Sequence, residues 1–207
     1  MNKKTLIVAV ALVAQVAAIG WLIWRYERVI SQGTEVRFAC QAYDPYDPLR
    51  GRYLRTSVRE DCTNMAFQVC ETNRYEFRNK LFARLEPTNS NGLWRVAEVA
   101  VEPRAEGLWV RPKDSSIEYR LDWPARQQGE KWDDFNRRQK SSGLKAVVSF
   151  PDQLFINEKL APEAEKVLRK HTGKSAVAVY RVLDGEMVIT DIEIDGKPIA
   201  QFTREAK

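Results

Sequence analysis

The sequence has little of what hydrolytic and metal-dependent enzymes commonly use. It holds one histidine, His171, and three cysteines in 207 residues. No HExxH, P-loop or GxSxG pattern occurs. His171 closes an expected helix, where a cation suits the C-terminal end of the dipole; with no second histidine, a His-based triad has no base to spare. The cysteine spacings do not match the usual zinc pairs, and the histidine is far from all three. No metal or cofactor is therefore expected. Five like charges never occur in a row, so the net charge of +5 is spread over a mixed surface. Without a basic stripe or a base-stacking motif, nucleic acid is not an expected partner. Internal repeats and low-complexity tracts are also lacking.

One long hydrophobic run is present. From Thr5 to Trp24 no residue is charged. As a helix, these residues rise about 30 Å, the thickness of a bilayer's hydrocarbon core. Trp21, Trp24 and Tyr26 gather at one end, where amphipathic rings favour the headgroup layer. A cleaved signal peptide is the competing reading, with Val16 and Ala18 as small residues before a cut. Apolar chain continues past them to Trp24, which favours an uncleaved anchor. The expected division is an anchor over residues 1–28 and one domain over 29–207. The expected lipid contact runs through residues 5–24.

Orientation rests on less. Lys3 and Lys4 precede the span and Arg25 and Arg28 follow it, so the free α-amino group tips the N-terminus towards the cytoplasm. The cysteines point the same way. Cys62 and Cys70 flank a short segment that a disulfide would close, stabilising the fold by about 2.5 kcal/mol on the loop-entropy model. Three pairings exist, and 62–70 is the favoured one. Cys40 lies on the apolar face of Val36, Phe38 and Ala42, which makes it a buried thiol. A bridge implies an oxidising compartment, so the domain is expected in the periplasm of a bacterial inner-membrane protein.

The soluble part reads as antiparallel β structure, barrel- or sandwich-like, with one helix near the C-terminus. Residues 35–43 alternate as a strand. Asp44-Pro-Tyr-Asp-Pro48 then forces a turn, because proline fixes φ and aspartate caps the adjacent backbone. Residues 52–60 return as a strand, with Leu54, Thr56 and Val58 on one face. Further strands are expected near 80–86, 93–101, 108–111, 117–122, 175–183 and 186–194, and residues 124–143 form a long loop or surface helix. Pro162 and two acids open a helix that runs from Ala161 to His171. Asp184-Gly185 and Asp195-Gly196 are expected hairpin turns.

Asp44-Pro-Tyr-Asp-Pro-Leu-Arg50 running into Gly51-Arg52-Tyr53-Leu54-Arg55-Thr56-Ser57-Val58 resembles the signature of the GDYXXLXY family of membrane-anchored bacterial proteins. Phe150-Pro-Asp-Gln-Leu-Phe-Ile-Asn-Glu158 and the ending from Asp184 to Pro198 are similar to that family's later blocks, in the same order. Gly51 and Tyr53 match the signature; Arg52, Thr56 and Val58 depart from it. The resemblance transfers no activity. It implies a partner, since family members often accompany multi-spanning membrane proteins.

Tyr43, Asp44, Asp47, Arg50, Gly51 and Tyr53 make up the candidate binding corner; a turn held by local Asp–backbone and Asp–Arg contacts explains the same residues. Arg52 stands where the family has an acid, which argues against catalysis through that side chain. No residue is expected to be catalytic. The reading is a non-catalytic interaction or assembly module for another membrane component. An enzyme with an unrecognised carboxylate or Ser/Lys site, or a ligand sensor, stays open beside it.

Overall fold

The computed structural model describes residues 3–42, 53–70, 73–88, 92–122, 140–157, 160–171 and 175–205. Helix α1, Lys3–Gln32, contains the apolar span and continues past it. Its apolar side chains lie on the outside of the molecule, and none of the span is buried by the rest of the chain. This helix is long and apolar enough to cross a membrane. Only its last turn packs inward, through Val29. The helix stops at Gly33, whose N–H donates to Val29 O at 2.9 Å. A Cβ at this position would stand 2.4 Å from that carbonyl oxygen and 3.0 Å from Val182 N. The chain can turn from helix to strand here only because the residue has no side chain.

The rest is mostly antiparallel β structure in four small sheets. β1 (Thr34–Ala39), β11 (Ala176–Leu183), β12 (Glu186–Ile194) and β13 (Lys197–Pro198) form one sheet in that spatial order. β2 (Gln41–Ala42), β3 (Tyr53–Ser57) and β10 (Gln153–Phe155) form a second, with β3 central. β4 (Arg59–Cys62), β9 (Lys140–Ser149) and β8 (Asp114–Asp122) form a third with β9 central. β5 (Phe82–Pro87) lies between β6 (Trp94–Ala100) and β7 (Leu108–Val110) in the fourth. β1 leads into β2 across Cys40, and β3 into β4 across Val58, so two strands change sheet in mid-course. The expectation left barrel and sandwich open; no closed barrel forms, because the four sheets have separate hydrogen-bond ladders.

Even-numbered residues of the signature strand point inward. Leu54, Thr56 and Val58 are all buried, as the alternation requires. They meet an aromatic cluster in which the Phe38 and Phe150 rings lie 4.9 Å apart and Tyr180 sits edge-on to both. Helix α2, Ala161–His171, covers part of this core with Ala161, Ala164 and Leu168, spaced at three and four residues. Its limits are those read from the sequence. Asp184 (φ 51°) with Gly185 (φ 82°), and Asp195 (φ 51°) with Gly196 (φ 76°), adopt the left-handed conformations that tight hairpin turns demand.

Several features differ from the expectation, including the breaks at Cys40 and Val58 and the short strands β10 and β13. β9 was not anticipated and begins at Lys140, inside the stretch read as a loop; residues 123–139 lie outside the described residues. Within it Ala146, Val147 and Val148 are buried in succession, as befits a strand paired on both sides, so no alternation announces it. The C-terminal tail carries a short helix, α3, Ile199–Glu205. The Cys62–Cys70 bridge is not formed. Cys62 is instead a buried thiol at the end of β4, donating to Asn64 O at 3.5 Å. Beyond it the chain is tied to β6, where Asn64 O accepts from Val99 N and Ala66 N donates to Val99 O, both at 2.9 Å. Cys40 is a buried free thiol, as expected, and its burial pushes its pKa up to about 12.

Candidate functional site

Most of the candidate corner, Tyr43, Asp44, Asp47, Arg50 and Gly51, lies outside the described residues. Tyr53 opens β3, and its backbone pairs with Phe155 of β10. That pairing joins the two blocks that resemble family motifs. Leu54 faces Leu154, and Arg55 faces Gln153, in an antiparallel ladder of three residues.

Asp152 locks the ladder. Arg55 Nε donates to Oδ2 at 2.7 Å, Lys113 Nζ donates to Oδ1 at 2.5 Å, and Thr56 N donates to the Asp152 backbone carbonyl at 2.9 Å. One residue thus ties the signature strand to the loop between β7 and β8. Burial pushes the Asp152 carboxyl up, but the Lys113 and Arg55 contacts outweigh it and hold the group below its ordinary value. Just behind the clamp, Tyr180 donates its hydroxyl to Pro151 O at 2.9 Å. Burial, reinforced by Cys40 and Asp152, raises the Tyr180 phenol well above its usual range, with the nearby Thr56 hydroxyl offsetting part of the effect. Thr56 is 1% exposed, and its hydroxyl makes no hydrogen bond of regular geometry.

A cavity of about 170 Å³ opens over the clamp, lined among others by Arg55, Ser57, Lys113, Ser149 and Asp152. Two serines and a lysine therefore share one recess. The lysine makes its contact with the Asp152 carboxylate, with Nζ 2.5 Å from Oδ1. The arrangement pairs charges and holds the strands together. A second recess, about 450 Å³, lies along the outer face of the same bent strand, lined by Ser57, Arg59, Asp61 and Lys145. There Lys145 reaches Asp61 at 2.5 Å and Arg59 reaches Glu118 at 2.7 Å. Among the described residues, no group of three or more His, Cys, Asp or Glu side chains is placed to hold a metal ion.

A family model described as GDYXXLXY protein matches residues 15–192. The chain belongs to the GDYXXLXY family. No curated protein matches it. No solved structure matches it either. In this member the signature residues at 54, 56 and 58 are core, whatever their identity, while the odd-numbered Arg55 performs the polar work. Arg55, Lys113 and Asp152 were not singled out in the sequence. The visible signals were the outward phase of Arg55 and the position of Asp152 inside the second block. Lys113 offered none.

Proposed function

We propose that the chain is a single-span protein of the bacterial inner membrane, with its N-terminus in the cytoplasm and residues 29–207 in the periplasm. In this reading the β domain is a non-catalytic interaction or assembly module for another, multi-spanning membrane component. The observation that supports it most is the absence of any spacer between α1 and β1 beyond Gly33. A freely tethered domain needs a linker, and one that must stand in fixed register with a neighbour in the membrane does not. The candidate corner is sequence-adjacent to β2 and β3. Phe155, whose backbone pairs with its last residue, is 74% exposed and so within reach of a neighbour.

The test is cross-linking in native membranes with a photoreactive residue at Phe155. Recovery of one multi-spanning protein supports the reading, and recovery of none overturns it. A reporter fused after Lys207 that works only in the cytoplasm reverses the topology. Ser57, Ser149 and Lys113 in one cavity favour a serine–lysine hydrolase as the second reading. It requires that Lys113→Arg, which keeps the charge, abolishes an activity detectable with ester probes; the first reading expects no such activity.

A further inference from the structure

Beyond its apolar span α1 makes a second set of contacts, with the turn between β11 and β12. Arg25 Nε donates to Glu186 Oε2 at 2.9 Å, and Arg28 Nη2 lies 3.2 Å from Asp184 Oδ2. Each guanidinium also lies over an indole on the same helix: Arg25 over Trp21 at 5.3 Å, and Arg28 over Trp24 at 5.8 Å. Between helix and turn is a recess of about 190 Å³, lined by Arg25, Arg28, Val29, Leu183, Asp184 and Glu186. Its wall is therefore two cations, two anions and an apolar floor.

Depth gives this recess its meaning. Arg25 directly follows Trp24, the last residue of the uncharged run. The four helical steps from Arg25 to Val29 rise about 6 Å. The headgroup layer on one side of a bilayer is about 5–8 Å thick. If α1 spans the membrane as proposed above, the recess lies within that layer. The four charged groups are not used up by one another. An arginine has five N–H donors, and a carboxylate has about four lone-pair positions. The contacts with the turn occupy Nε and Nη2 of Arg25 and Nη2 of Arg28, leaving an Nη1 on each guanidinium. Side chains here are open enough to move, with Arg28 43% and Asp184 70% exposed.

We infer that this recess binds the headgroup of a zwitterionic, amine-bearing phospholipid, the phosphate on Arg25 and Arg28 and the ammonium on Glu186 and Asp184. An anionic headgroup without an amine brings no positive charge to the two carboxylates. A quaternary ammonium brings charge but no N–H to donate. A primary amine next to a phosphodiester satisfies both pairs at once, and acyl chains emerge beside the Trp21 and Trp24 rings, where the bilayer already is. The bound lipid acts as a wedge that holds the hairpin, and with it the domain, in a set position on the membrane.

The inference rests on the anchor reading, and the experiment separates the two. Full-length protein is first challenged in its membranes with alkaline carbonate; release of intact protein overturns the anchor and this site together. Protein retained in the membrane is then purified and reconstituted with phosphatidylethanolamine, phosphatidylcholine or phosphatidylglycerol, and lipid carried through detergent stripping is counted by native mass spectrometry. Phosphatidylethanolamine is expected to be retained about tenfold over either of the others, the effect of one well-made charged hydrogen bond. Asp184→Asn with Glu186→Gln should reduce that preference over phosphatidylcholine to near unity, and Arg25→Gln with Arg28→Gln should abolish retention of all three. Both pairs lie at the surface, and unchanged thermal unfolding of the variants shows that the fold survives. Equal retention of phosphatidylethanolamine and phosphatidylcholine by the unaltered protein, or stronger retention of phosphatidylglycerol, contradicts the inference while leaving the anchor intact.

Discussion

At Asp152 and at Asp184 an aspartate meets a guanidinium, Arg55 at 2.7 Å and Arg28 at 3.2 Å. The Asp152 side chain is 14% exposed and has a second cation, Lys113, on its other oxygen; that of Asp184 is 70% exposed. Similar chemistry thus has different worth in the two places. Half-buried and doubly paired, Asp152 cannot lose a partner without leaving a poorly solvated charge. In water, the Asp184 pair gains little over hydration, and its members are available to a third party. The end of the domain near the candidate corner is fixed by its ion pairs. The end beside α1 is fixed by backbone geometry at Gly33 and by Val29, with ion pairs that can exchange.

Gly33→Val is the variant with the largest expected effect. Its Cβ overlaps backbone atoms on both sides, so the helix-to-strand junction must shift, at a cost of about 2–4 kcal/mol. Thermal unfolding of the full chain in detergent should fall by about 5–15 °C. Asp152→Ala comes next, at about 2–3 kcal/mol, because Arg55 and Lys113 both lose their acceptor. Asp184→Asn, which removes the charge but tolerates the left-handed turn position, should change stability by less than about 0.5 kcal/mol. If Asp184→Asn proved as costly as Asp152→Ala, the contrast between the two ends would be wrong. The thiols give the smallest signal, a mass shift without a stability change. Alkylation without reductant should label Cys40 and Cys62 only once the chain is unfolded. Failure of Cys62 to label then would establish the bridge that the spacing of Cys62 and Cys70 led one to expect.

Much of the fold could be read from local pattern. Helix α2 keeps the limits set by Pro162 and His171, and both Asp-Gly turns sit where the dipeptides put them. The inward phase of Leu54, Thr56 and Val58 followed from period two alone. What stayed hidden depends on pairing across the chain. β9 is buried because β4 and β8 flank it, and neither neighbour can be inferred from Ala146-Val147-Val148. α3 has seven residues, too few for a periodicity to show. At the site, Arg55 and Asp152 are 97 residues apart, and no local rule couples them. The corner, read as a turn, lies outside the described residues, whereas the clamp appears only when β3 and β10 are side by side.

The claim on which the rest depends is that the junction of the two family blocks is an architectural clamp and not a reacting site. It is tested most directly by the acid limb of thermal stability in Asp152→Asn and in the unaltered chain. Asp152 has a folded pKa below its unfolded value of about 3.9. Its contribution to stability is therefore complete above about pH 4 and is lost as pH falls through the lower folded value. The unaltered chain should lose melting temperature over that window more steeply than the variant, and the two curves should converge at the acid end while differing by several degrees at neutral pH. Identical curves at every pH, together with loss of cross-linking to the membrane partner in the variant, would contradict the account and make Asp152 a functional group and not a structural one.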